Sequence, residues 1–134
     1  MKLHTFFIFV VALFFAVSCT KETLPAPKLF SSAEEVVVKT YSNSPAFELT
    51  WEFTGGTASV SKTYIQFSDD KEFIKTYVAS ASGNSYLVTF RDIQKMNAEF
   101  GQTSDFDLYI RLLVEGENIQ SVYSKKVKIN VDLP

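Results

Sequence analysis

The stretch FDLYIRLLV, residues 106–114, contains the longest alternating series of apolar side chains in the chain. Every second residue is apolar, and these are Phe106, Leu108, Ile110, Leu112 and Val114. A period of two places alternate side chains on opposite faces of a strand. The stretch therefore predicts a β-strand with one face against a hydrophobic core.

The same alternation recurs on both sides of this stretch. Predicted strands cover residues 36–38, 47–53, 63–67, 73–78, 86–90, 106–114 and 127–131. Turn-forming residues such as Gly55-Gly56 and Gly83-Asn84 separate them. Trp51 is in phase with its apolar neighbours and is predicted to lie in the core. The pattern predicts an all-β fold, an immunoglobulin/fibronectin type III-like sandwich of about seven strands.

One segment departs from the period of two. Ile93, Met96 and Phe100 have helical spacing, and Gly101 is suitably placed to end a helix. The spacing predicts one short helix over residues 91–100, between the fifth and sixth strands.

The first residues have the order of a secretory signal. Lys2 precedes an apolar run from Phe6 to Val17, which is followed by Ser18 and by the only cysteine, Cys19. The run of 12 residues is too short to cross a bilayer core of about 30 Å as a helix. We expect residues 1–18 to be a lipoprotein signal peptide and Cys19 to be lipidated. The alternative is ordinary signal cleavage that leaves an unmodified thiol.

Composition adds three expectations about the chain after the signal. Residues 19–32 hold Pro25 and Pro27 without an apolar period, which predicts a lipidated cysteine and flexible tether before a domain at 33–134. The chain carries 13 Lys+Arg and 15 Asp+Glu, without a basic stripe, so no nucleic-acid partner is expected. With one cysteine, it has no intramolecular disulfide available.

The residue types also limit the chemistry. The only histidine, His4, lies in the predicted signal, so a Ser-His-Asp triad, a Cys-His pair and a zinc site are not expected. We predict no catalytic residues, no metal, no cofactor and no enzymatic activity. Two alternatives are a calcium site in residues 69–72 and a glycosidase carboxylate pair formed by Asp105 and Asp107. For both, solvent-facing charge is the simpler interpretation. Arg111 is expected to pair with a carboxylate on a neighbouring strand.

Exposed tyrosines are candidates for stacking on a sugar ring, because they combine a flat apolar face with a polar edge. The chain after the signal offers Tyr41, Tyr77, Tyr86, Tyr109 and Tyr123. Tyr109, Tyr77 and Tyr86 are the preferred candidates for ligand stacking. Tyr109 is notable because it alternates out of phase with the apolar face of its strand.

Several core and turn residues together resemble a known family. They are Leu49-Thr50-Trp51, 64–68, Phe73, 86–90, Met96-Asn97, Gly101, 108–111, Ser121 and Ser124. They look like the N-terminal domain of SusE-type outer-membrane lipoproteins, the accessory proteins of Bacteroidetes glycan-uptake systems. The resemblance covers residues 33–134 and the leader. Leu108 stands where fibronectin type III domains usually place a tyrosine. The glycan-binding domains of that family follow this one, so no sugar-binding residue carries over.

The resemblance implies a lipid-anchored outer-membrane protein. Its partners would be the membrane, through the N-terminal lipid, other outer-membrane glycan-uptake proteins, and a polysaccharide. Lys21-Glu22 after the cysteine is similar to a surface-export signal, which favours the cell surface over the periplasmic face. The expected function is a non-enzymatic accessory, spacer or protein-interaction module of a glycan-capture system. The alternative is that the domain itself binds a glycan through exposed tyrosines.

Overall fold

The structure is a computed structural model that describes residues 22–134. Within these residues the chain forms nine strands and one helix. The elements are β1 (Ala26–Ser31), β2 (Glu35–Val37), β3 (Pro45–Thr54), β4 (Lys62–Ser68), β5 (Tyr77–Ala81), β6 (Ser85–Thr89), α1 (Phe90–Phe100), β7 (Phe106–Gly116), β8 (Ile119–Tyr123) and β9 (Val127–Asp132). The predicted all-β sandwich is confirmed.

Two sheets form the sandwich. The smaller sheet has the order β1-β3-β6, and the larger has the order β2-β9-β7-β4-β5, with β8 also paired to β7. All pairings are antiparallel except the parallel pair of β2 and β9. Because β7 pairs with β4, β8 and β9, the strand predicted from residues 106–114 organises the larger sheet.

The core lies between the inner faces of the two sheets. The predicted apolar face of β7 is buried along its whole length, and Phe47, Leu49 and Trp51 of β3 are buried opposite it. The prediction that Trp51 is a core residue is confirmed. Its indole Nε1 is the one buried side-chain nitrogen or oxygen in the described residues that has no hydrogen-bond partner.

The helix closes one end of the sandwich. The side chain of Thr89 accepts a hydrogen bond from the Asp92 backbone N–H, and the Asp92 carboxylate accepts one from Thr89, which together form a capping box. Gly101 ends the helix in the left-handed conformation. The predicted helix is confirmed and begins one residue earlier, and its three apolar residues of helical spacing are buried.

The predicted tether is wrong over residues 26–31. Those residues form β1, which pairs in register with β3 from Ala26–Thr54 to Ser31–Leu49. Leu24 and Leu29 join the core. Pro27 is compatible with a strand here because β1 is an edge strand, where one row of N–H groups needs no partner. The folded domain therefore begins near residue 24 rather than at 33.

Two further differences concern strands in the larger sheet. The strand predicted over 73–78 begins only at Tyr77, because Phe73 has a φ of 55° and belongs to the preceding turn. β8, a short strand without a fully buried residue, is absent from the predicted strands. Together with β1, this raises the strand count from about seven to nine.

The interruption between β8 and β9 has a specific cause. Both strands pair with β7, and Ser124 lies between them. The Ser124 backbone N–H donates to the Leu112 carbonyl at 3.0 Å, while its hydroxyl oxygen accepts from the Leu112 N–H at 2.9 Å. The same hydroxyl donates to the Lys125 carbonyl at 2.9 Å. A side chain thus replaces one backbone acceptor of the ladder, and the regular strand is interrupted there.

Candidate interaction surface

The structure separates Tyr109 from the other two preferred tyrosines. Tyr109 lies on the outer face of β7, with Ser68 and Lys128 as its cross-strand neighbours. Tyr77 lies on the inner side, where its ring centroid is 6.1 Å from that of buried Phe67. The three therefore do not form one sugar-stacking platform.

Tyr86 also belongs to the inner side, opposite buried Leu49 in the register of β3 and β6. Burial raises the pKa of the Tyr86 phenol above its usual value, and the charges of Asp92 and Tyr77 raise it further. Tyr86 and Tyr77 thus share one edge of the core, and both pack against it.

A second group of side chains comes together on the outer face of the larger sheet. Residues opposite each other on adjacent strands lie close enough for their side chains to interact. The register aligns Val78, Gln66 and Arg111 in one row, and Tyr64, Leu113 and Tyr123 in the next. We call these residues, together with Phe73 and Tyr109, the Arg111 surface.

Arg111 is held between two aromatic rings at the centre of this surface. Its guanidinium carbon is 4.1 Å from the ring centroid of Phe73 and 4.0 Å from that of Tyr123. Its Nε donates a hydrogen bond of 2.7 Å to Gln66 Oε1. Each such cation–π contact stabilises by about 0.5–2 kcal/mol, depending on desolvation. The expected pairing of Arg111 with a carboxylate is wrong within the described residues, because its partners there are an amide oxygen and two rings.

The turn before β5 explains how Phe73 reaches Arg111. The Phe73 N–H donates to the Asp70 carbonyl at 2.9 Å, and its positive φ reverses the chain at that point. Thr76 donates from its hydroxyl to the Phe73 carbonyl, which fixes the far side of the turn. Lys126 Nζ donates to the Lys71 carbonyl at 2.6 Å and ties the turn to the start of β9. Phe73 is consequently only 8% exposed, although it lies outside the core between the sheets.

Exposed apolar side chains belong to the Arg111 surface or adjoin it in sequence. Tyr123 is 52% exposed, Val78 is 51% exposed, and Ile74, the residue after Phe73, is 81% exposed. Grouped apolar exposure of this kind marks contact surfaces more often than singly scattered apolar residues do. Tyrosine and arginine are also the residue types that contribute most to protein interfaces.

The acidic candidates occupy other positions. A hydrogen bond with the Asp132 carboxyl raises the pKa of Asp105 above its usual value. Asp107 accepts a long hydrogen bond of 3.5 Å from Asn130. Asp105 thus pairs with a residue of β9, and the structure gives no support to its pairing with Asp107 across a cleft.

In the turn considered as a calcium site, residues 69–72, two carboxylates accept hydrogen bonds from other groups of the protein. Asp69 accepts from Gln102 Nε2, and Asp70 accepts from the Glu72 backbone N–H. Within residues 22–134 no group of three His, Cys, Asp or Glu side chains is arranged to hold a metal ion.

One apolar cleft opens between the edges of the two sheets. It has a volume of about 640 Å³ and separates β1 from β8 and β9. Leu24, Leu29, Val122 and Val127 give it an apolar lining, and Tyr123 borders it. None of the three preferred tyrosines lines this cleft.

Comparisons with protein-family models, with curated proteins and with solved structures found no match to this chain. Cys19, the predicted lipidation site, lies outside the described residues. Over residues 22–134 no helix has the length and apolar character needed to span a membrane. The fold and its surface define a β-sandwich that carries a stacked arginine on one sheet face.

Most of the Arg111 surface was not predicted from the sequence. Tyr109 was singled out, but Arg111 was expected to pair with a carboxylate, and Phe73 was placed in a strand. One available signal was the outer row of β7 itself, where Tyr109, Arg111 and Leu113 follow one another on a face that should be polar.

Proposed function

We propose that this chain is a non-enzymatic, lipid-anchored outer-membrane protein. Its sandwich would serve as an accessory, spacer or protein-interaction module of a glycan-capture system, as in the SusE-type lipoproteins that it resembles. The single observation that carries the interaction role is the Arg111 surface, where a stacked arginine lies among exposed apolar side chains. The leader and Cys19 support the anchoring.

The strand β1 changes the geometry of the proposed anchor. Only residues 20–23 separate Cys19 from buried Leu24. Five residue steps at about 3.3–3.6 Å reach no further than about 18 Å. A lipid on Cys19 would therefore hold the sandwich close to the headgroups, and a partner would meet it at a restricted height above the membrane.

The anchoring is tested by metabolic labelling with radioactive palmitate in cells that express the full chain. We expect label in the wild-type protein and none in Cys19→Ala, with the variant released from the membrane fraction. Ser18→Ala is the control, because it keeps the thiol. Wild-type protein without label, or label that persists in Cys19→Ala, would overturn the proposed anchor.

Glycan binding by the domain itself is the second candidate. Tyr109 and Tyr64 are half-buried on the same sheet face as half-exposed Tyr123, which supports a wider aromatic surface than the three preferred tyrosines provide. Affinity electrophoresis in gels that contain soluble plant and host polysaccharides tests it. Retardation that Tyr109→Ala removes and Tyr41→Ala preserves would support this role, and unretarded migration in every gel would count against it.

A further inference from the structure

The outer row of β7 has a self-complementary order of side chains. Asp107, Tyr109, Arg111, Leu113 and Glu115 follow one another on that face, because strand side chains alternate. Arg111 and Glu115 thus stand on either side of Leu113, each about 6.6 Å away along the strand. Over residues 111–115 the row carries one cation and one anion at equal distances from an apolar centre, and its second anion, Asp107, lies beyond Tyr109.

Both charged groups keep unused hydrogen-bonding capacity. The Arg111 guanidinium donates through Nε to Gln66, and no residue among 22–134 accepts a hydrogen bond from its two terminal nitrogens. The carboxylate of Glu115 likewise accepts no hydrogen bond from another described residue, although Lys62 is its neighbour on β4. A guanidinium held rigidly between two rings loses little further freedom when a carboxylate binds it.

We propose that two copies of the chain associate face to face through the Arg111 surface, with Arg111 of each copy against Glu115 of the other. A two-fold axis through Leu113 produces both ion pairs at once, since an isologous interface repeats every contact. The axis places the two Leu113 side chains at the centre of the interface. Their neighbours on the adjacent strands are Tyr64 and Tyr123.

The balance of charge favours a second copy as the occupant. A partner of different sequence would need its own acid and base at a matching spacing, whereas a second copy supplies them automatically. The inference rests on the protein-contact role proposed above, and anchoring would help it, because copies held in one membrane meet at a raised effective concentration.

The size of the surface sets the expected strength. The patch spans four adjacent strands, which lie about 4.8 Å apart, and about six residues along each strand. Its area is therefore about 400 Å² on each copy. A stable complex usually buries about 800 Å² per partner, so the association should be weak and concentration-dependent.

The test is sedimentation equilibrium of the full chain in density-matched detergent micelles, over about 1–500 µM. We expect the wild-type protein to pass from monomer to dimer within this range. Arg111→Glu and Glu115→Arg should each weaken the dimer about tenfold or more, because each places like charges opposite one another. An equimolar mixture of the two variants should restore a dimer, since every facing pair then has opposite charges.

The chain offers matched controls for both charge reversals. Arg91→Glu and Glu99→Arg, both at exposed positions of α1, make the same charge reversals outside the Arg111 surface, and should sediment as the wild type does. Arg111→Glu also removes the contacts with both rings. If it fails to fold, a comparison of Glu115→Arg with the wild type still decides the question. The wild-type dimer should be weaker at about 0.5 M than at about 0.05 M salt, because salt screens the ion pairs.

The outcomes separate this inference from the proposed function. A wild-type chain that stays monomeric throughout, or variants that fail to restore each other, would overturn the dimer. If that monomeric chain still incorporates palmitate, the anchored role stands without self-association. A dimer formed by a chain that takes no palmitate would support the interface and overturn the anchor.

Discussion

Ser124→Ala is expected to destabilise the domain, because it removes a hydroxyl group that is buried and hydrogen-bonded. The Ser124 side chain makes two hydrogen bonds at the break between β8 and β9, to the Leu112 N–H and to the Lys125 carbonyl, both at 2.9 Å. Ser124 is only 8% exposed, and Leu112 is fully buried on β7. Water therefore has little access to the groups that alanine would leave without a partner.

The magnitude follows from those contacts. A buried donor that loses its acceptor costs about 1–3 kcal/mol, because its desolvation is no longer offset. The Lys125 carbonyl lies nearer the surface and can turn to water, so its loss should add less, about 0.5 kcal/mol. We expect the free energy of unfolding to fall by about 2 kcal/mol. In a domain of this size that corresponds to a drop in Tm of roughly 6–10 °C.

Urea unfolding followed by tryptophan fluorescence measures this change, since Trp51 is the only tryptophan and is buried in the core. Ser121→Ala in β8 is the matched control and should change the free energy by less than about 0.5 kcal/mol. Ser124→Thr retains the hydroxyl and should recover much of the loss. A Ser124→Ala variant as stable as the Ser121→Ala control would refute the structural role of the hydroxyl.

Three further predictions concern the segment before β1, the helix cap and an acidic pair. Gly56→Ala should destabilise by about 1–3 kcal/mol more than Gly55→Ala in urea unfolding, because both glycines have positive φ but only at Gly56 would a new Cβ lie 2.6 Å from the Cα of Pro25; equal losses would indicate that this segment is not packed there. Thr89→Ala should cost about 1 kcal/mol and lower the helical signal in circular dichroism, since it removes the N-cap acceptor of α1; unchanged stability would contradict the capping box. The raised pKa of Asp105 means that its stabilising contribution is complete below the usual value of 3.8 and is lost as pH rises through the higher folded value. Asp105→Asn should therefore make the free energy of unfolding in urea less dependent on pH just above 3.8. A pH dependence equal to that of the wild type would contradict the contact between Asp105 and Asp132.

The elements that could be predicted from the sequence are those in which local pattern and tertiary packing agree. Residues 106–114 and 47–53 alternate because one face of each is core, so period and burial give the same answer. The helix was equally readable, because its apolar spacing ends at a glycine that adopts the left-handed conformation. In these segments the neighbours in space only reinforce what the neighbours in sequence already favour.

The remaining elements depend on partners that are distant in sequence. β1 contains Pro27 and follows Pro25, so it looks like a linker until β3 supplies its hydrogen bonds. The Arg111 surface depends on a turn at Phe73 whose backbone geometry no side-chain period encodes. The stack itself unites residues 73, 111 and 123, which pattern reasoning within a short window treats separately.

The parallel pairing of β2 with β9 has a mechanical consequence. Residues 35–37 lie alongside 130–132, and two more hydrogen bonds, from Val38 to Asp132 and from Asn130 to Glu34, extend the contact. A pull on the two ends of the chain would drag these strands past each other in opposite directions. Their hydrogen bonds would then bear the load together rather than break one after another. The sandwich should resist stretching from its ends better than peeling from a loop.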